Sequence, residues 1–173
     1  MRSRLYLNLA ILALSLFLPH VALGYPPCVV DMTLDDETYN AIAEQRFEDA
    51  AKLLQKPAAD GNVEAQYLLA NRYLHGSGVA KDTDRAIDLY TQAAKGGCVT
   101  AQSDLGLYYA DQGRYEAAFP FLLAAAESGM RGWSTHLLGL MYEKGLGAPR
   151  DPQKGECWRQ KATELPRAQP EHC

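Results

Sequence analysis

No stretch of this chain is both apolar enough and long enough to cross a bilayer. The longest apolar run, Leu5–Leu18, is 14 residues, against roughly 20 for a helical span. Positive charge is also in short supply. Seventeen Lys and Arg stand against 21 Asp and Glu, a formal net charge of −4. A basic stripe is the electrostatic footprint of nucleic-acid binding, and anionic membrane surfaces attract the same sign, so both partners are disfavoured. Catalytic spacing is missing as well. The four histidines are scattered with no H-E-x-x-H, and no G-x-S-x-G occurs; GMRGWST at Gly129–Thr135 imitates it only superficially. No nucleophile stands with a base and an orienter, although a triad assembled from distant positions leaves no local trace. Cys157, His172 and Cys173 lack the paired spacing of a metal site. The sequence therefore calls for no catalytic residue, no metal and no cofactor.

What is present begins with Arg2 and Arg4, the apolar run, and Ala22-Leu23-Gly24, which puts small residues at the minus-three and minus-one positions of a cleavage site. This is the layout of a secretory signal peptide over residues 1–24. A lipid anchor requires cysteine directly after the small residue, where Tyr25 stands; Cys28 comes three positions later. The expected product is a soluble periplasmic or secreted protein beginning at Tyr25. Loss of Arg2 and Arg4 takes its net charge from −4 to −6. Its length, about 150 residues, suits one domain. Cys28, Cys98, Cys157 and Cys173 all survive cleavage. An even number in an exported chain reads as two disulfides, with three pairings open. Cys157 with Cys173 is the local option; Cys28 with Cys98 then clips the N-terminal segment to the domain.

Residues 25–34 include Pro26-Pro27 and are expected to be extended. Thr33 followed by Asp36 resembles a helix-start box, opening an imperfect helix pair over Asp35–Asp60. Pro57 is expected to bend or end its second helix. A fuller unit follows at Ala65–Gly97, AQYLLANRYLHGSGVAKDTDRAIDLYTQAAKGG. Ala65, Leu68, Leu69, Arg72 and Tyr73 mark one helical stripe; Ala86, Leu89, Tyr90, Ala93 and Ala94 mark another. Between them lie His75-Gly76-Ser77-Gly78, an apolar Val79 to plug the gap, and Asp82 to cap the second helix. The pattern recurs. Gly61 to Gly97 is 36 residues and Gly97 to Gly129 is 32, the deficit falling in the turn, where DQGRYE replaces HGSGVAKDTDR. Ala65, Leu69, Ala70 and Tyr73 become Ala101, Leu105, Gly106 and Tyr109. Pro120 falls in the early turns of the next helix, where a missing N–H costs least. The last unit restores the long turn. Leu138, Gly139 and Tyr142 match Leu69, Ala70 and Tyr73; Gly145-Leu146-Gly147 matches Gly76-Ser77-Gly78; Asp151-Pro152 is a strong helix start. Gly155 stands for Ala86, which either weakens the helix by about 1 kcal/mol or permits closer approach. Pro166 ends the helix, leaving a polar tail at 166–173.

Self-similarity at this period marks a repeat architecture, in which each unit buries its apolar stripe only by stacking. The glycine turns join helices, follow no strand and recur at equivalent positions, which makes them structural rather than phosphate-binding. The unit at Ala65–Gly97 resembles a Sel-one-like repeat, a branch of the tetratricopeptide-like helical repeats, and the resemblance covers about 35–165. Ala101–Gly129 departs from it in its short turn, typical of plain tetratricopeptide units. The cysteines do not reproduce the bridges of cysteine-rich members.

The resemblance implies an all-α fold, an α/α solenoid forming a right-handed superhelix of about three to four helix-turn-helix repeats. It also implies a concave face lined by first helices that binds another protein or a peptide. Setting aside the buried positions, helical spacing leaves Tyr67, Asn71 and His75, then Ser103, Leu107 and Asp111, then Trp133, His136, Leu140 and Lys144 to face that groove. Trp133 has an alternative place, the inter-repeat core at the position of Ala65 and Ala101. The expected function is a periplasmic interaction module. One version is an immunity or inhibitor protein neutralising a toxin effector, another an adaptor in envelope assembly or secretion. A cell-wall hydrolase is the reading from a different class, suggested only by compartment and groove.

Overall fold

The structure, a computed structural model, describes Cys28, residues 34–163 and Cys173. The expected signal peptide, the expected extended segment apart from Cys28 and Leu34, Thr33 with its helix-start box, and the tail between residue 163 and Cys173 lie outside the described residues. Among the described residues are eight α-helices and no strand. They are α1 (Asp36–Ala43), α2 (Phe47–Ala59), α3 (Val63–His75), α4 (Thr83–Lys95), α5 (Val99–Asp111), α6 (Tyr115–Glu127), α7 (Trp133–Lys144) and α8 (Pro152–Thr163). Each packs mainly on its chain neighbours, and α5 also touches α7. The chain is an all-α helical-repeat solenoid.

Local chemistry sets where each helix begins. Asp82 Oδ1 accepts from the Arg85 N–H at 3.0 Å, and Asp151 Oδ1 from Lys154 N–H at 3.0 Å. These satisfy amides that no helical carbonyl can reach. Asn62 caps α3 the same way through Ala65 N–H at 2.8 Å. At α1 the cap is Asp35, whose Oδ1 accepts from Thr38 N–H at 2.7 Å. The closing glycines Gly61, Gly97 and Gly129 share left-handed φ values of 92°, 91° and 93°, so successive units turn alike.

The two helical prolines sit differently. α2 runs through Pro57 to Ala59. Pro57 lies in its last turn, where few further bonds depend on it. Pro120 is the sixth residue of α6, beyond the four amides that a helix start leaves unbonded, so it does forfeit a helical hydrogen bond.

The units stack through small residues. Ala65 and Ala101, Ala86 and Ala118, and Ala93 and Ala125 are all fully buried at matched positions. Gly155 provides close approach: a Cβ there would lie 2.8 Å from the Gly139 carbonyl oxygen. Trp158 fills the adjoining core. Side chains tie unit to unit as well. Gln66 Nε2 donates to the Ala58 carbonyl at 3.2 Å and Gln102 Nε2 to Ala94 at 3.1 Å. At the same repeat position Thr135 Oγ1 donates to the Met130 carbonyl at 2.6 Å. Val79 packs against the core, as the turn pattern suggests.

The long turns reach further. A Cβ on Gly78 would collide with the Phe47 carbonyl at the start of α2, and one on Gly147 with the Tyr115 carbonyl at the start of α6. Each long turn therefore lies backbone to backbone on the preceding unit. Disulfides join Cys28 to Cys98 and Cys157 to Cys173, closing separations of 70 and 16 residues. The first clips the N-terminal arm to the start of α5.

Two expectations follow. Gly97 shares the left-handed backbone of Gly78 but has open space around it. Gly97→Ala should thus lose only the conformational term of about 1–2 kcal/mol. Gly78→Ala should lose clearly more, because the Phe47 carbonyl must also move; urea denaturation of both variants measures the difference. In unreduced, denatured protein no thiol should alkylate, and replacing the Cys28–Cys98 pair should cost about 4 kcal/mol by loop-closure entropy.

Candidate partner-binding face

The first helices α3, α5 and α7 present equivalent positions side by side. Tyr67, Ser103 and His136 share one position, Asn71, Leu107 and Leu140 a second, and His75, Asp111 and Lys144 a third. The structure does not treat them alike. Tyr67 is half-buried, its ring edge-on to Tyr90 with centroids 5.8 Å apart. Asn71 Nδ2 donates to the Tyr67 carbonyl at 3.0 Å. His75, Asp111 and Lys144 are exposed at the helix ends, and Leu107 and Leu140 are half-buried. Ser103 is a correction: it is buried at 7% exposure, so its short side chain belongs to the interior rather than to the open face.

Trp133 does not enter the inter-repeat core. It is 65% exposed, its ring stacked on the half-buried His136 with centroids 5.7 Å apart and planes 21° apart. Ser134, 4% exposed, takes the interior place instead, because Leu138 matches Leu69 and so aligns Ser134 with Ala65. Trp133 thereby aligns with Glu64 and Thr100. Glu64 is covered by α1, where the Tyr39 hydroxyl donates to both carboxylate oxygens at 3.1 and 2.9 Å; burial and that carboxylate push the Tyr39 phenol up to about 12. Thr100 is half-buried, its Oγ1 2.8 Å from the Sγ of disulfide-bonded Cys28. At the third equivalent position the indole stands open, with His136 stacked beside it.

A cavity of about 250 Å³ opens between α3, α4 and α5. It brings together only two of the expected residues, Asn71 and His75. The others are Leu74 from α3, Ile87 and Tyr90 from α4, and Asp104, Leu105 and Tyr108 from α5. Asp104 dominates its electrostatics. The Tyr67 hydroxyl donates to Asp104 Oδ2 at 3.2 Å. Burial raises the Asp104 carboxyl above the ordinary aspartate range, and the Tyr67 hydrogen bond only partly offsets this. Burial, and then the Asp104 charge, push both Tyr67 and Tyr90 upward. Helical spacing passed over Asp104, yet the repeat alignment carries a signal for it. Asp104 occupies the position of Leu68 and Leu137, a charge where both other units place leucine.

The model of the Sel1 repeat matches residues 63–98 and 134–165. A crystallised Sel1 repeat protein from Oxalobacter formigenes is 36% identical, with a TM-score of 0.56 over 63% of this chain and 84% of its own. The chain belongs to the Sel1 repeat family. A protective antigen present in uropathogenic Escherichia coli strains, displaying an SLR fold, is 34% identical with a TM-score of 0.59, over 66% of this chain and 25% of that one. A chitin synthase regulator of Saccharomyces cerevisiae is 31% identical over 140 residues, 77% of this chain and 18% of the regulator's length. The two stretches matched by the family carry the long turn. The unit between them, which lost part of that turn, also supplies Asp104 and Tyr108. Sel1 repeats mediate protein–protein interaction, and among the described residues no helix is long and apolar enough to cross a membrane.

Raising an aspartate's folded-state pKa makes its contribution to stability most favourable when protonated, and that contribution is lost as pH rises through the folded-state value. Asp104→Asn keeps an acceptor for Tyr67 and removes the buried charge. The variant should melt higher than wild type at neutral pH. The gap should close on acidification below the ordinary aspartate range, as followed by circular dichroism across a pH series.

Proposed function

We propose that this Sel1 repeat protein is an exported interaction module that holds a protein or extended peptide along the face of α3, α5 and α7. The observation that carries the reading is Trp133. It is a large aromatic at 65% exposure, stacked on His136, at a position where Glu64 is buried and Thr100 half-buried. An exposed, rigid aromatic with a polar edge is the side chain that most often dominates an interface when a partner covers it. Leu140 and Lys144 continue along the same helix, and Asn71 and His75 line the cavity between α3 and α5.

The leader-like residues 1–24, the two disulfides and the expected processing after Gly24 support a periplasmic or secreted location. Within that compartment the finer version is an immunity or inhibitor protein neutralising a toxin effector; an envelope or secretion adaptor uses the same face. The regulatory name of the yeast relative accords with action through another protein. The hydrolase reading has no observation in its favour.

Wild-type protein immobilised from its native export host should retain a specific protein from an envelope extract. Trp133→Ala should weaken that retention by roughly 30-fold, the size of an interface hot spot, while leaving the melting temperature unchanged. Retention of no protein by wild type, or undiminished retention by Trp133→Ala, counts against the reading. N-terminal sequencing of the exported chain should begin at Tyr25. Co-expression with a captured effector separates immunity from adaptor roles by whether growth is restored.

A further inference from the structure

The cavity between α3, α4 and α5 has walls of mixed character, hydrocarbon beside polar side chains, and carries one acid among the described residues. Leu74, Ile87 and Leu105 line it with hydrocarbon, Tyr90 and Tyr108 with aromatic rings, and Asp104 is its only acidic residue; no lysine or arginine lines it. Beside the His75 ring and the Tyr90 and Tyr108 hydroxyls, two further acceptors are open there. Tyr67 occupies Asp104 Oδ2, which leaves Oδ1. Asn71 spends its amide nitrogen on the Tyr67 carbonyl, which leaves its amide oxygen.

We propose that this cavity receives the ammonium group of a lysine side chain presented by the bound partner segment, an inference that rests on the partner-binding reading above. The methylene stem suits the leucine and isoleucine walls, and a cation gains from the faces of aromatic rings. An ammonium offers three donors that separate acceptors such as Asp104 Oδ1 and the Asn71 amide oxygen can share. A guanidinium prefers a bidentate carboxylate, and Tyr67 already holds one of the two oxygens. A neutral side chain would leave a half-buried carboxylate with the Tyr67 hydrogen bond but no counter-charge in the cavity. Size favours a side chain over a free metabolite: about 250 Å³ falls below the roughly 300–1,000 Å³ of small-molecule sites. The repeats point to the same place, because only the middle unit substitutes an acid for the leucine of its neighbours.

Titration of the full exported protein with N-acetyl-lysine methylamide, its norleucine analogue and putrescine, read by the amide shifts of Asp104 and Leu105, tests the assignment. The lysine probe should bind roughly tenfold or more tightly than the norleucine probe. In Asp104→Asn, which retains an acceptor for Tyr67, the two should become equal. Equal binding in wild type, or a lysine preference that survives Asp104→Asn, overturns the proposal. Tighter binding of putrescine than of the lysine probe also overturns it, by making a free amine the occupant. Partner capture separates the two readings. Loss of capture in Trp133→Ala with full capture in Asp104→Asn removes the lysine inference alone, whereas no capture by wild type removes both.

Discussion

The contact of backbone with backbone between successive units is the constraint on which this solenoid depends. Gly78 lies on the Phe47 carbonyl and Gly147 on the Tyr115 carbonyl, each so close that no side chain fits between them. Such contacts require left-handed glycine at the turn and small residues wherever helices cross. Fully buried alanines at matched positions meet the second requirement, and Gly139 facing Gly155 meets it most closely. Hydrogen bonds then fix the spacing. The side chains of Gln66, Gln102 and Thr135 reach back to carbonyls at or just past the end of the preceding unit.

The middle unit shows how far this plan tolerates change. In the long-turn units Arg85 lies over the Tyr73 ring at 4.7 Å and Lys154 over Tyr142 at 5.8 Å. The short turn replaces the capping aspartate with Arg114, which supplies no cap but places its guanidinium 4.7 Å over Tyr109. A cation on the tyrosine face is thus kept although the residue supplying it comes from another position. The same unit turns a leucine position into Asp104. Its scaffold bonds persist, and its difference appears on the cavity.

The two ends of the stack are closed differently from its middle. At the N-terminal end α1 covers Glu64 through Tyr39, and Cys28, held by its disulfide to Cys98, lies against Thr100. At the other end Cys157–Cys173 returns the chain terminus to α8, and Cys173 packs against the second core cluster. At the third equivalent position Trp133 has no such cover among the described residues and stands 65% exposed.

Repeat spacing, helix starts and closing glycines were legible in the sequence because they follow from local chemistry. Asp82 must cap the helix it precedes, Gly97 must take a left-handed φ, and Leu69, Leu105 and Leu138 must share one face. Interior and surface could not be separated so locally. Tyr67 and Ser103 occupy the same repeat position, yet one hydrogen-bonds Asp104 of the next unit and the other is buried, since burial depends on neighbours from another unit. Trp133 could be assigned only when Ser134 was found in the place of Ala65. Asp104 carried a visible departure from the leucine pattern, but its chemistry arises from Tyr67 of one unit meeting the carboxylate of the next. The sequence by itself determined the repeat, because period and capping act within a few residues. Only the tertiary structure decided the site, because it lies between helices more than thirty residues apart and exists nowhere within a single unit.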